Sequence, residues 1–426
     1  MPGVRRLAER TPPRRDRWVD LVRAVAIVLV VLGHWLAVIV TYDDGLGGRH
    51  VLTALPWTRW LSWAFQVMPV FFLAGGFANA ASLKPDRRAW LLARTDRLLR
   101  PTTVFLAVIA ASAALARALG APPGPVGTAV WLATVPLWFL AAYLPMVALT
   151  PLMHALHRRW GLAVPAVLAV LVGLGDAARL WADVPHGGTA NYLLMWLAVH
   201  QLGFAWQDGR LPARAAPALL IAGLCGLVLL TTIGPYPVSM VAEPGADVQN
   251  TAPPTFALLC LAAAQTGLVL LLHDRGGRWL RRTRPWTAVV AVSTVILTLF
   301  LWHMTALVIA AAVLYPTGVF PQPPIGTGEW YALRVPWLAC LLLVLAALLA
   351  LFARAERPAR PPRRRTPAAL TVACLAGAQA GLIGIALAGP AFHSPAALPA
   401  WTLVTYLAAA TVLHVLRRRA AADPAA

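Results

Sequence analysis

The sequence predicts an all-α fold: a polytopic membrane helix bundle of about twelve transmembrane helices, a ten-span core plus two more, with both termini cytoplasmic. Three observations carry this prediction. Of 426 residues, 59% are hydrophobic and only 12% are charged, an apolar share well above that of a soluble domain. Apolar stretches long enough to cross a bilayer recur along the whole chain. Basic residues collect in alternate connections between those stretches.

The elements follow in order. A basic segment, MPGVRRLAERTPPRRDR, precedes an apolar run of about 22 residues that begins at Trp18. That run is longer than a signal-peptide core, and no small-x-small cleavage site follows it, so it reads as an uncleaved first span over 19–41. Further spans are expected at 58–80, 100–119, 129–152, 161–180, 190–207, 216–233, 255–272, 286–315, 331–353, 367–389 and 399–416. Segment 161–180 ends in Asp176 and Arg179, and segment 129–152 contains Pro136 and Pro145. Membrane helices tolerate proline where neighbours satisfy the carbonyls it releases. The longest outer loop, 234–254, is rich in proline and glycine and has no basic residue. The expected organisation is a basic cytoplasmic tail (1–17), a membrane core (18–355), a basic cytoplasmic linker (356–366), two additional transmembrane helices (367–416) and a cytoplasmic tail (417–426).

The charges test this order. There are 36 basic and 16 acidic residues, for a net charge of +20. With the N-terminus inside, 30 basic residues fall in the inner segments 5–17, 84–100, 158–159, 210–214, 275–284, 354–365 and 417–419. Five (Arg49, Arg59, Arg117, Arg179 and Arg334) fall outside or at outer edges, and Arg23 lies within the first span. Miscounting one span would swap every later loop and destroy that asymmetry. In a soluble chain this charge would suggest nucleic acid; here topology accounts for it, and no nucleic-acid partner is expected. Cys225, Cys260, Cys340 and Cys374 each fall inside an apolar run without metal-ligand spacing, which argues against disulfides and a metal site.

Arg23 and His34 lie eleven residues apart in the first span, separated almost entirely by aliphatic residues. Eleven helical residues turn about 1100° and rise about 16 Å, so both lie on one face, one near the surface and one deep inside. Ionisable groups at such depth mark function by default. A histidine there can serve as a base near neutral pH. An arginine about 16 Å away could hold the phosphates of an extended ligand. Asp20, three residues before Arg23, can pair with it. The ordinary alternative is a snorkelling arginine and a helix-packing histidine.

Four later patterns join them. MPVFFLAGGFANA (68–80) carries Gly75 and Gly76, which allow close backbone approach to a helix or to a ligand. Arg94, Arg97 and Arg100 form a ladder before Pro101, either a topology signal or a clamp for a phosphorylated cytoplasmic donor. Trp138-Phe139-Leu140 with Tyr143 forms an aromatic cluster. Leu301-Trp302-His303-Met304 places a second histidine deep in a span, either lining the same cavity as His34 or satisfied by an interhelical hydrogen bond. His154 and His157 have no carboxylate or cysteine beside them, so no metal is expected there.

Taken in this order, the residues resemble the acyltransferase-3 family of integral-membrane acyltransferases. That family opens with Asp-x-x-Arg, then ten residues, then His; here these are Asp20, Arg23 and His34. Its Phe-Phe-x-x-Ser-Gly-Phe-like motif is similar to Phe71 through Phe77, with Gly75 where the family carries serine. Its Arg-x-x-Arg before proline matches Arg94/Arg97 or Arg97/Arg100. Its Trp-Phe-Leu and Leu-Trp-His segments match 138–140 and 301–303. The resemblance covers about residues 15–355. No esterase-like extracytoplasmic domain accompanies it, which makes a stand-alone membrane type the expectation.

The resemblance implies transfer of an acyl group, commonly acetyl, from acyl-CoA as co-substrate to a hydroxyl of a cell-envelope glycan, a lipid or an exported small molecule. No bound cofactor is expected. It implies that Arg23 and His34 are essential, with His34 as base at the reacting centre. Arg94, Arg97 and Arg100 would hold the donor phosphates, and His303 would orient His34 or stabilise the oxyanion. Asp20, Gly75, Gly76 and Trp138 would support the site. The expected setting is multi-pass, in a bacterial plasma membrane among its lipids. The rival from another class is a twelve-span secondary transporter. Against it, no repeat is visible, and the connection after the second span, LKPDRRAWLLARTDRLLRP, lacks the Gly-x-x-x-Asp-Arg-x-Gly pattern.

Overall fold

The computed structural model describes residues 2–12, 15–43, 45–356, 367–389 and 394–421. In chain order the first elements are α1 (Pro2–Glu9), α2 (Arg17–Ala37), a two-stranded ribbon of β1 (Val38–Tyr42) and β2 (Leu46–His50), and the short helices α3 (Val51–Ala54) and α4 (Ser62–Phe65). There follow α5 (Met68–Ser82), α6 (Arg87–Ala118), α7 (Pro123–Thr134), α8 (Leu137–Trp160), α9 (Ala163–Leu180), α10 (Asn191–Gln207), α11 (Ala216–Thr232) and α12 (Phe256–Trp279). The last are α13 (Thr283–Ser293), α14 (Ile296–Leu314), α15 (Gly328–Phe352), α16 (Ala368–Ala386) and α17 (Ala400–Ala421). The all-α expectation holds. Most of the expected basic linker 356–366 and the end of the 417–426 tail lie outside the described residues.

Eleven helical stretches are long and apolar enough to cross a membrane. The twelfth expected segment, 190–207, forms α10, which has 17 residues, most of them buried. Two expected spans are broken. Segment 129–152 divides between α7 and α8 at Val135-Pro136, because proline lacks an N–H and its ring clashes with the preceding turn. Segment 286–315 divides between α13 and α14 at Thr294-Val295, where Val295 leaves helical geometry at φ −129°. The first span ends at Ala37 and continues as β1.

The chain forms two compact units of interleaved segments: residues 1–33, 50–83 and 149–294, and residues 34–49, 84–148 and 295–426. In the first unit α5 packs directly on α10. A Cβ on Gly76 would collide with the His200 carbonyl oxygen, and one on Gly203 with that of Leu73. The two backbones touch, which is how membrane helices gain close packing. Asp176, fully buried, accepts hydrogen bonds from the Tyr236 hydroxyl at 2.9 Å, the Phe256 amide at 2.7 Å and the Asn191 amide at 3.1 Å. It thereby ties the 234–254 loop to the starts of α10 and α12.

In the second unit α14 packs against α15, α7 and α6. Buried Trp330, Trp337, Leu341, Leu345 and Leu348 form one stripe of α15, while Val335, Leu342 and Leu343 on its other side are exposed. Helical spacing thus separates a packed face from a face suited to lipid. Glu356 accepts hydrogen bonds from the amides of Leu297 at 3.0 Å and Thr298 at 2.9 Å, capping α14. A carboxylate there satisfies orphan donors and meets the positive end of the helix dipole. The pair α16 and α17 is fastened to α6. The Tyr406 hydroxyl bonds the Leu99 carbonyl at 3.2 Å, and Arg417 pairs with Asp96.

Candidate active site

In the second unit, His34 on the last turn of α2 and His303 on α14 stand side by side, with ring centroids 5.0 Å apart. They meet because the helices are joined at this level: the Trp35 indole N–H donates to the His303 carbonyl at 2.8 Å. Trp35 and His303 are both fully buried, and His34 is half-buried. The His303 Nδ1 lies 2.6 Å from the Phe300 carbonyl oxygen. A carbonyl can only accept, so Nδ1 carries the proton, and a neutral His303 presents Nε2 as a lone pair. That Nε2 is buried and has no hydrogen-bond partner.

Phe300 lies against His303, ring centroids 5.9 Å apart, and belongs to an aromatic cluster on α14 and its neighbours. Phe139 meets Phe300 edge-on at 5.1 Å and stacks on Tyr143 at 5.3 Å. Trp138 is half-buried beside Phe139, their centroids 6.4 Å apart. Trp302 stacks on Phe352 at 4.1 Å and meets Phe105 edge-on at 5.1 Å. Phe139, Phe300, Trp302 and Phe105 are all buried.

The arginine ladder lies on the same unit. Helix α6 runs unbroken from Arg87 through Pro101, so Arg94, Arg97 and Arg100 share one side. Arg97 is exposed; Arg94 and Arg100 are half-buried, and Arg94 lies over the Trp90 ring at 5.7 Å. Asp96, the carboxylate within the ladder, is engaged by Arg417 of α17. Phe105 fixes the level of Trp302, the neighbour of His303. Arg100 and Arg94 are five and eleven residues before Phe105, or about 8 and 16 Å along the helix.

The remaining predicted residues belong to the first unit. Asp20 does not pair with Arg23. Both of its oxygens are taken by Arg15, at 2.6 and 3.0 Å, because a guanidinium arriving from outside the helix can engage a carboxylate with both prongs. Arg23 instead lies over Phe71 at 5.6 Å, and its Nε is buried without a hydrogen-bond partner. Of the two readings of the glycine pair, Gly76 serves helix against helix, facing α10; Gly75 is buried on the same helix.

Three contributors escaped the sequence reading. Phe300 fixes the tautomer of His303 through a backbone atom, which leaves no trace in side-chain type. Glu356 stands inside a basic, proline-rich stretch that reads as linker. Arg417 stands in a basic tail that reads as a topology signal. A lone acid in a basic segment was the one available signal for Glu356.

Residues 16–355 match the acyltransferase-3 family, described as an acyltransferase domain. Neither a curated protein nor a solved structure matches the chain. The matched region contains both histidines, the ladder and every aromatic residue of the site, and stops before α16 and α17. The chain belongs to the acyltransferase-3 family of membrane acyltransferases, and is an enzyme that transfers acyl groups other than aminoacyl groups.

Proposed function

We propose that this acyltransferase moves an acetyl or similar acyl group from cytoplasmic acyl-CoA to a hydroxyl of a cell-envelope glycan, lipid or exported small molecule, in a bacterial plasma membrane. The observation that carries this reading is the pairing of His34 with His303, whose Nδ1–H is committed to Phe300. The donor's phosphates dock on Arg94, Arg97 and Arg100, and its thioester lies at the histidines. Arg23, half-buried with an unpartnered Nε, is the further cation of the first span and would act in positioning α2.

His34 takes the proton of the acceptor hydroxyl as its oxygen attacks the thioester carbonyl. The new C–O bond forms, the C–S bond breaks, and the departing thiolate takes the proton back from His34. Of the two roles open to His303, orientation fits its tautomer better. A neutral His303 with its only N–H already donated has nothing to offer an oxyanion. Its Nε2 can accept the N–H of His34, which fixes the ring's orientation. His303 is thus a positioning residue.

The test is His303→Phe, which keeps an aromatic ring and removes Nε2. The expected result is a lower kcat with an unchanged KM for acyl-CoA. An unchanged kcat would remove His303 from the reaction.

A further inference from the structure

A cavity of about 270 Å³ lies in the second unit, in a place the acyl-transfer chemistry above does not use. Its walls include Ile39 and Thr41 of β1, Arg49 of β2, Tyr315 just beyond α14, and Trp330 and Arg334 at the start of α15. Arg334 is stacked over the Trp330 ring at 4.3 Å. Trp330 and Tyr315 are 5% and 3% exposed. The Nε and Nη1 of Arg334 are buried and have no hydrogen-bond partner. No carboxylate is among the described lining residues; Asp43 and Glu329, near in sequence, do not line the cavity. The wall is held in shape by Gln322, which accepts from the Tyr42 amide at 2.7 Å and donates to the Tyr42 carbonyl at 3.2 Å.

An arginine with buried, unused N–H groups is costly unless an anion completes it. Stacking on Trp330 holds the fork in one orientation, so little freedom is lost when an anion binds. A carboxylate would be satisfied by one fork. Arg49 lines the same cavity, and so does Tyr315, whose hydroxyl takes a hydrogen bond from Arg334 and keeps its own O–H to donate; donors from several residues suit a tetrahedral phosphate. The position matters too. Tyr315 is twelve residues beyond His303 on α14, about 18 Å along the helix. Ile39 is five residues beyond His34, about 11 Å by helix and then strand. The opposite end of α14, capped by Glu356, contacts the α6 side of the unit, where the donor ladder lies.

We propose that this cavity binds a phosphate group of the acceptor, so that the acceptor is a phosphate-bearing hydroxylated molecule whose reacting hydroxyl lies between about 11 and 18 Å from its phosphate. This rests on the acyl-transfer reading of the histidine pair. It excludes a small neutral acceptor and makes Arg334 a specificity determinant.

The experiment uses the full chain in nanodiscs of phosphatidylcholine and radiolabelled glucose 1-phosphate as the probe, with binding followed by equilibrium dialysis and no acyl donor present. The wild type should bind saturably. Arg334→Gln should bind about ten-fold or more weakly, the loss expected for a charge-assisted hydrogen bond, and Arg214→Gln, at an exposed arginine outside both sites, should bind normally. Arg49 is exposed, so Arg49→Gln keeps the fold and should weaken binding too. Equal binding by the wild type and both cavity variants, or none by the wild type, overturns the site. A second arm uses nanodiscs containing phosphatidylglycerol. If the wild type but not Arg334→Gln retains that lipid, and glucose 1-phosphate fails to displace it, the phosphate belongs to a lipid headgroup and the acceptor assignment falls. A chain that binds the sugar phosphate but turns over no acyl-CoA keeps the site and loses the acyl-transfer reading instead.

Discussion

His34→Ala is expected to lower acyl transfer by about 10²- to 10⁴-fold, the usual contribution of a positioned general base, while the protein remains inserted and folded. His34 stands on the last turn of α2, half-buried, beside a histidine whose buried Nε2 has no hydrogen-bond partner. The helix joint at this level is made by its neighbour, Trp35, through the indole N–H to His303. Removing the imidazole therefore removes chemistry and leaves the joint. The measurement is turnover per mole of purified protein, set beside the thermal unfolding midpoint. Normal turnover by a well-folded variant would take His34 out of the reaction.

Arg97→Ala and Arg100→Ala should each weaken acyl-CoA affinity by about ten- to one-hundred-fold, with little effect on the acceptor. Arg97 is exposed, so its alternative as a topology signal predicts no change in donor affinity. Engagement of Asp96 by Arg417 keeps that carboxylate from competing with a donor phosphate for the ladder. Lysine keeps the charge and loses the two-pronged fork, so Arg97→Lys should recover only part of the affinity. Two titrations on each variant, one of acyl-CoA and one of acceptor, separate these outcomes. Normal donor affinity in both alanine variants would leave the ladder as a topology signal alone.

The spans were legible because bilayer thickness sets their length and composition, and apolar runs advertise both. The division of α7 from α8 could be read from Pro136, which removes a donor and clashes with the preceding turn. The division of α13 from α14 could not: Ser293-Thr294-Val295 contains no breaker, and the new helix start is held by Glu356, 59 residues from Leu297 in sequence. His34 and His303 could each be singled out as ionisable groups inside spans. Their meeting could not, since it depends on a tertiary bond from Trp35. Asp20 was paired with the nearest arginine by helix spacing, and a residue before the helix, Arg15, reached it first. The phosphate cavity was invisible because β1, β2, Tyr315 and α15 are separated in sequence, and Arg334 reads as one of the few basic residues at an outer edge.

Coenzyme A thiol release by the purified chain in bilayers, with acetyl-CoA supplied on one side and a hydroxylated acceptor on the other, tests acyl transfer at His34 most directly. Thiol should appear one-for-one with new ester on the acceptor, and neither should form with His34→Ala. Flux of the acceptor without thiol release, or equal ester formation by the wild type and His34→Ala, would contradict it.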